Sequence, residues 1–190
     1  MSELILASTS PRRRLLLELA GIPHEVDAEP VDESVLEGES PIEYATRLAR
    51  VKAQAVAERH PGRRVLGADT VVVLDGSILG KPSDEQDAES ILHRLAARRH
   101  DVLTAVALVR DGVVDEAVEV TAVWMRAADP SLIRAYVATG EPMDKAGGYA
   151  AQGVGALLVD RIDGDFFNVM GLPLPRVIEM LESEEKRLGC

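Results

Sequence analysis

Hydrophobic and polar positions along this 190-residue chain change period several times, and each change marks a predicted element. Leu4-Ile5-Leu6-Ala7 is a short continuous apolar run that ends in Ser8-Thr9-Ser10, the mark of a buried strand running into a turn. A helix follows from Pro11, with Ser10 as N-cap and proline at the first helical position, where its missing N–H has no partner in any case. Pro23 to Val26 suits a short strand, and an acidic, irregular stretch runs from Asp27 to Glu39. Ser40-Pro41-Ile42-Glu43 reads as a capping box, after which Tyr44, Leu48, Val51, Ala55 and Val56 keep helical spacing as far as His60-Pro61-Gly62.

Val65 to Leu74 is β-rich and almost continuously apolar, which predicts a central strand buried on both faces. Asp75-Gly76 turns it back through Ile78-Leu79, and Ser83 to Gln86 forms a second capping box before a helix carrying Ile91, Leu92 and Leu95. Val102 to Val109 and Val113 to Met125 make a long hairpin about Asp111-Gly112. In its second arm Val118, Val120, Ala122 and Trp124 alternate with Glu119 and Thr121, the period of a half-buried strand with its apolar set on the inner face. Asp129-Pro130 opens a helix over Ser131 to Ala138. The last third holds a glycine-rich loop, a strand through Leu157-Leu158-Val159, a returning segment Phe166 to Val169, and a terminal helix from near Pro173 or Pro175. Interleaved strands and helices with hairpins among them predict an α/β fold with a mixed, elongated central sheet flanked by helices. No repeat or linker divides the chain, so residues 1–190 read as one domain, bilobed around a cleft.

Composition narrows the function classes. The net charge is −11 and no basic run occurs, so a nucleic-acid polymer is excluded as partner. Aromatics are only 3%, too few for a base-stacking platform. No apolar run approaches the ~20 residues of a membrane span, and the N-terminus lacks a secretory layout, which leaves a cytoplasmic protein as the expectation. The single cysteine, Cys190, permits no internal disulfide and is a poor nucleophile at a chain end. The four histidines show no metal-ligand spacing, and no P-loop element is present.

Against this acidic background, Arg12, Arg13 and Arg14 crowd the first turn of a helix, where the positive dipole end disfavours cations. Free backbone N–H groups, serine hydroxyls and guanidinium forks there suit a phosphate. Solvated arginines on an exposed face are the plain alternative. Asp69 interrupts an apolar strand. Such a carboxylate either accepts turn amides at the strand end or faces a cleft, where it binds metal or takes a proton from water. Lys81 follows a glycine and precedes Pro82; Lys52 lies mid-helix near Arg47 and Arg50. Glu33 and Asp32 sit in the irregular acidic stretch. Each of these also reads as an ordinary surface charge.

The ordered set of segments resembles the Maf family of nucleoside triphosphate pyrophosphatases, whose fold is of the ITPase-like kind, from Leu6 to Leu174. The segments that carry it are Leu6-Ala7-Ser8-Thr9-Ser10-Pro11-Arg12-Arg13, Gly67-Ala68-Asp69-Thr70, Gly80-Lys81-Pro82, His100-Asp101-Val102-Leu103-Thr104, Asp144-Lys145-Ala146-Gly147, Gln152-Gly153 and Asn168-Val169-Met170-Gly171-Leu172-Pro173. The resemblance implies hydrolysis between the α and β phosphates to a nucleoside monophosphate and pyrophosphate. Asp69 would be the proton acceptor, Ser8, Arg13, Lys52 and Lys81 would hold phosphates, and Glu33 would sit close to the catalytic centre. Mg²⁺ or Mn²⁺ is implied as cofactor, with its ligands unassigned, and a nucleoside triphosphate as the small-molecule partner. The family's proteins are often homodimers, though nothing in the sequence fixes an interface.

Arg12, Thr70 and Gln152 look like the branch acting on dTTP and UTP; the branch acting on 7-methyl-GTP carries an aromatic residue, Gln and Glu at these places. A neutral Gln152 can both donate to and accept from a pyrimidine edge, whereas glutamate suits a cationic methylated guanine. Ala96-Ala97 stands where the family usually has Ser-Gly, and Phe166-Phe167 where a tyrosine is frequent. Cleansing of nucleotide pools and arrest of division are the purposes the family suggests. Competing readings are a 7-methyl-GTP pyrophosphatase, a non-specific phosphatase and a non-hydrolytic nucleotide-binding regulator of division. A pure sensor would not need Asp69 as proton acceptor.

Overall fold

A computed structural model describes residues 4–188. Among these residues seven strands form a mixed sheet: β1 (Leu4–Leu6), β2 (His24–Val26), β3 (Arg64–Leu74), β4 (Ser77–Leu79), β5 (Arg99–Arg110), β6 (Val113–Met125) and β7 (Val159–Asp163). Their order is β2-β1-β3-β5-β6-β7, with β4 added to β3. β1 runs parallel to β2 and to β3, while β4 on β3 and β7 on β6 are antiparallel. Among the described residues six helices flank the sheet: α1 (Pro11–Leu19), α2 (Pro41–Ala57), α3 (Glu85–Leu95), α4 (Pro130–Val137), α5 (Phe166–Met170) and α6 (Leu174–Leu188). No described helix is long and apolar enough to cross a membrane. Cys190 lies outside the described residues.

Packing separates into two compact units, one from the described parts of 1–69, 104–119 and 171–190, the other from 70–103 and 120–170. In the first unit β1 is wholly buried, α1 buries Leu16 and Leu17, and α2 buries Ala45, Leu48, Ala49, Ala53 and Val56. The capping box at Ser40 and Glu43 forms as read, each side chain accepting the other's backbone N–H. In the second unit the core comprises Val72, Leu79, Ile91, Leu92, Leu95, Val102, Val123, Met125, Ile133, Tyr136 and neighbours. Asp75 and Asp111 take positive φ (51° and 48°) before their glycines, as tight two-residue hairpin turns require.

Four local expectations need correction. The cap of α3 is Asp84, not Ser83: its carboxylate accepts from Asp87 N at 2.8 Å, while Asp87 takes the Ser83 amide at 3.0 Å. The phase of β6 is reversed, because Thr121, Val123 and Met125 are buried while Val120 is 46% exposed. Thr121 goes inside because its hydroxyl is fully used: it accepts from Asn168 Nδ2 at 2.8 Å and donates to the Asp165 carbonyl at 3.1 Å. Trp124 instead lies half-buried on the other face under Arg161 and Arg99, whose guanidinium carbons are 4.3 and 5.7 Å from its ring centre. Phe166 to Val169 is helical, and Leu157-Leu158 closes a 3-10 turn (Val154–Leu158) before β7 rather than forming part of that strand.

Ala97 follows α3 with φ +57° and donates its N–H to the Arg126 carbonyl at 3.0 Å. The left-handed region costs an alanine about 1–2 kcal/mol, which explains why glycine is usual there in the resembling family. Ala97→Gly is therefore expected to stabilise the protein by about 0.5–1 kcal/mol, after the extra unfolded-state entropy of glycine is subtracted. Thermal denaturation should show a rise of about 2 °C. A fall would mean that the alanine methyl packs better than the backbone strain costs.

Candidate active site

The site begins with the turn between β1 and α1. Ser10 occupies the N-cap of α1 but its side chain makes no capping bond; its amide instead donates to Ser8 Oγ at 3.2 Å. Arg13 Nη1 donates to the same oxygen at 3.1 Å and Arg13 Nε to the Gly171 carbonyl at 2.8 Å. One guanidinium thus ties the serine turn to the segment before α6 and is held in one direction. Burial pulls its pKa below the ordinary arginine value; Asp69 and Glu33 oppose that pull, and Arg12 reinforces it. Arg12 is half-buried next to it, whereas Arg14 is exposed and meets Glu18 one turn on at 3.4 Å. The three arginines therefore divide: Arg13 is tied into the turn, Arg12 is half-buried beside it, and Arg14 is a solvated helix charge.

The second component pairs α2 with β3. Gly67 and Asp69 lie two residues apart and so share one face of β3. A Cβ at Gly67 would stand 2.2 Å from the Ala49 carbonyl oxygen and 2.9 Å from the Ala53 methyl, so the helix rests directly on the strand backbone. That approach brings Lys52, on the intervening turn of α2, to Asp69: Nζ is 2.6 Å from Asp69 Oδ1 and also 2.6 Å from Glu33 Oε1. Asp69 is 8% exposed. Burial raises its pKa, against the lowering effect of the Lys52 and Arg13 charges and with some help from Glu33. A carboxylate poised in this way is suited to accept a proton.

Glu33 belongs to the irregular stretch, and side chains of α2 fix its place. The Tyr44 hydroxyl donates to the Glu33 carbonyl at 2.9 Å, Arg47 Nη2 to the Ser34 carbonyl at 2.9 Å, and the Arg47 fork grips the Glu39 carboxylate at 2.6 and 2.7 Å. Burial and the charges of Asp69 and Glu33 push the Tyr44 pKa up, so the ring stays a neutral donor. Sequence reasoning missed Tyr44 and Arg47, which carry no motif, and the Gly171 carbonyl. Gly67 is the reason Lys52 reaches Asp69, and a glycine inside a β-rich run is the sequence signal of such an approach.

Ser8, Arg12, Arg13, Glu33, Lys52 and Asp69 are thus in the first unit. Thr70, the next residue of β3, is half-buried and falls in the second unit with Lys81 and Gln152, both exposed in loops. The Lys81 loop is anchored by the Gly147 amide, which donates to the Gly80 carbonyl at 3.0 Å. Among the described residues no three His, Cys, Asp or Glu side chains gather as an all-protein metal cage. Asp32 is exposed and accepts from the Ser34 amide at 2.9 Å.

A family model described as Maf-like protein matches residues 3–184. A dTTP/UTP pyrophosphatase of Symbiobacterium thermophilum is 52% identical over 181 residues, covering 95% of this chain and 93% of that protein. Another protein of the same name, from Geotalea uraniireducens, is 50% identical and covers 100% and 96%. Among solved structures, the Staphylococcus aureus Ham1 protein is 17% identical with a TM-score of 0.47, over 64% of this chain and 71% of that one.

Proposed function

The chain belongs to the Maf family, and from that premise we propose that it hydrolyses dTTP and UTP to the nucleoside monophosphate and pyrophosphate. The observation that carries the chemistry is Asp69, buried, raised in pKa and held by Lys52 within electrostatic reach of Arg13. Asp69 takes a proton from water as the water oxygen bonds to the α phosphorus. The bond from that phosphorus to the α–β bridging oxygen breaks, and pyrophosphate leaves with the electron pair. Arg13, fixed by Ser8 and Gly171, offsets charge on the phosphates. Lys52 orients the Asp69 carboxylate and donates to phosphate when Glu33 yields its place.

Asp69 and Glu33 converge on one ammonium, and two such hard oxygen donors suit a Mg²⁺ or Mn²⁺ that keeps its other ligands from phosphate and water. These are the residues that would hold the ion, which when bound supplies further neutralisation of the departing pyrophosphate. Selection of the pyrimidine is assigned to Arg12, Thr70 and Gln152, the positions at which the resemblance separates the dTTP/UTP branch from the other.

Product analysis tests the proposal. The protein is incubated with dTTP, UTP, CTP, GTP and 7-methyl-GTP, with Mg²⁺, with Mn²⁺ or with chelator. Monophosphate and pyrophosphate from dTTP and UTP, lost in chelator, are the expected result. Orthophosphate as first product would overturn the cleavage site, preferred cleavage of 7-methyl-GTP the branch, and binding without turnover the enzyme itself.

A further inference from the structure

The turn that carries Gln152 is gripped by a carboxylate that takes no part in the proposed reaction. Glu141 follows α4 and opens a 3-10 turn (Glu141–Asp144). Its Oε1 accepts from the Val154 amide at 3.0 Å and its Oε2 from the Gly155 amide at 2.8 Å. A Cβ on Gly153 would lie 1.8 Å from Glu141 Oε1, so the carboxylate occupies the space any side chain at 153 would need. Tyr136 completes the grip: its hydroxyl hydrogen-bonds Glu141 and accepts the Ala150 amide at 3.1 Å. Between these anchors the Gly153 amide donates to the Ala150 carbonyl at 3.3 Å, closing a four-residue turn whose third member is Gln152, exposed. Burial pushes the Glu141 carboxyl up, but the two amides, Tyr136 and Lys145 outweigh it and keep the group ionised.

We infer that Glu141 is a positioning residue for base selection, fixing the backbone of the Gln152 turn so that the carboxamide meets the pyrimidine edge in one orientation. Glu141 does not touch the nucleotide in this role, and Tyr136 shares it. The inference rests on the proposed reading of Gln152 as the base contact. Its physical basis is the count of acceptors. A carboxylate can accept from both amides at once, whereas a carboxamide accepts from one and turns an N–H toward the other. A turn left with an unmatched amide relaxes, and the residue at its tip loses its aim.

The test compares Glu141→Gln, Tyr136→Phe and Gln152→Ala, singly, with Glu141→Gln also combined with Gln152→Ala. The readouts are kcat and KM for UTP, dTTP and CTP, and inhibition by inorganic tripolyphosphate, which shares only the phosphate end. Glu141→Gln is expected to raise KM for UTP and dTTP about tenfold and to lower the UTP-over-CTP preference by a similar factor, the scale of one misplaced hydrogen bond. Its kcat and its tripolyphosphate inhibition should stay within about twofold of the parent, and the double variant should discriminate no worse than Gln152→Ala. Tyr136→Phe removes one hydroxyl and no carbon, so it supplies a weaker change in the same direction even where Glu141→Gln lowers the folded yield. If Gln152→Ala alters base preference and the other two variants do not, or if they lower kcat instead, the positioning role is wrong. If Gln152→Ala itself leaves preference unchanged, the reading of Gln152 falls first, and the inference with it.

Discussion

Asp69→Asn is expected to lower turnover by about 10²–10⁴-fold, the range supplied by a positioned general base, with little change in triphosphate affinity. The substitution keeps the shape and leaves an oxygen to accept from Lys52, now 2.6 Å from Asp69 Oδ1, so the phosphate-facing cations stay in place. What is lost is the capacity to take a proton and the charge of one oxygen donor to the ion, while a carboxamide oxygen remains. The same assignment fixes a pH dependence. Burial raises the Asp69 pKa, so the acid limb of kcat/KM should lie above the ordinary aspartate value of about 3.9. Activity falls as pH drops through that limb, because the protonated acid cannot accept a second proton. Lys52→Met removes the largest opposing effect and should move the limb to higher pH. Pyrophosphate release against pH, with isotope-labelled dTTP binding in parallel, checks both statements. An active Asp69→Asn, or an acid limb below pH 4 in the parent, would remove Asp69 from its role.

Gly67→Ala should be among the most damaging single methyl groups this chain can receive. The added carbon would meet backbone atoms of α2, the Ala49 carbonyl at 2.2 Å and the Ala53 amide at 2.8 Å, neither of which a rotamer change can move. Separating helix from strand costs about 3 kcal/mol, at the upper end for overpacking, and lowers Tm by about 6–12 °C. Activity should fall as well in whatever fraction stays folded, since the displaced helix carries Lys52 off Asp69. The control is Gly80→Ala, where the new methyl meets nothing within 4 Å and Tm should change little. Equal Tm for the two variants would show that α2 can lift from β3 without cost.

Sequence alone disclosed those parts of the fold whose signals are local. The capping box at Ser40 needs only four residues, and the Asp-Gly hairpins need two, so both could be read directly. The phase of β6 could not, because the preference of Thr121 for the interior depends on Asn168 and Asp165, more than forty residues away. The candidate site divides along the same line. Asp69 stood out because a carboxylate in an apolar strand is anomalous by itself, and the arginines because a helix N-terminus disfavours them. From its own spacing Lys52 reads as any surface lysine; the resemblance marks it for phosphate, and only the contact of Gly67 with α2 explains why it lies beside Asp69. Glu33 lies in a stretch with no period at all, where propensity is silent and placement depends on bonds to another element.

That stretch, from Asp27 to Glu39, has a consequence of its own. Val35 and Leu36 are 57% and 54% exposed, so little apolar burial holds the stretch in place. Its order comes from polar ties to one helix and the turn after it: Tyr44, Arg47 and Lys52, with Arg59 and His60 on Asp27. A segment fastened in this way can loosen while the core stays intact, so its opening belongs to local fluctuation rather than to global unfolding. The more open pairs among these, Arg59 with Asp27 and Lys52 with the half-exposed Glu33, weaken as salt rises, whereas the contact of α2 with Gly67 does not. Ionic conditions can therefore free Glu33 from its resting partner without disturbing the alignment of Lys52 with Asp69, and a change on the solvent side of α2 can retune the reacting centre without touching a reacting atom.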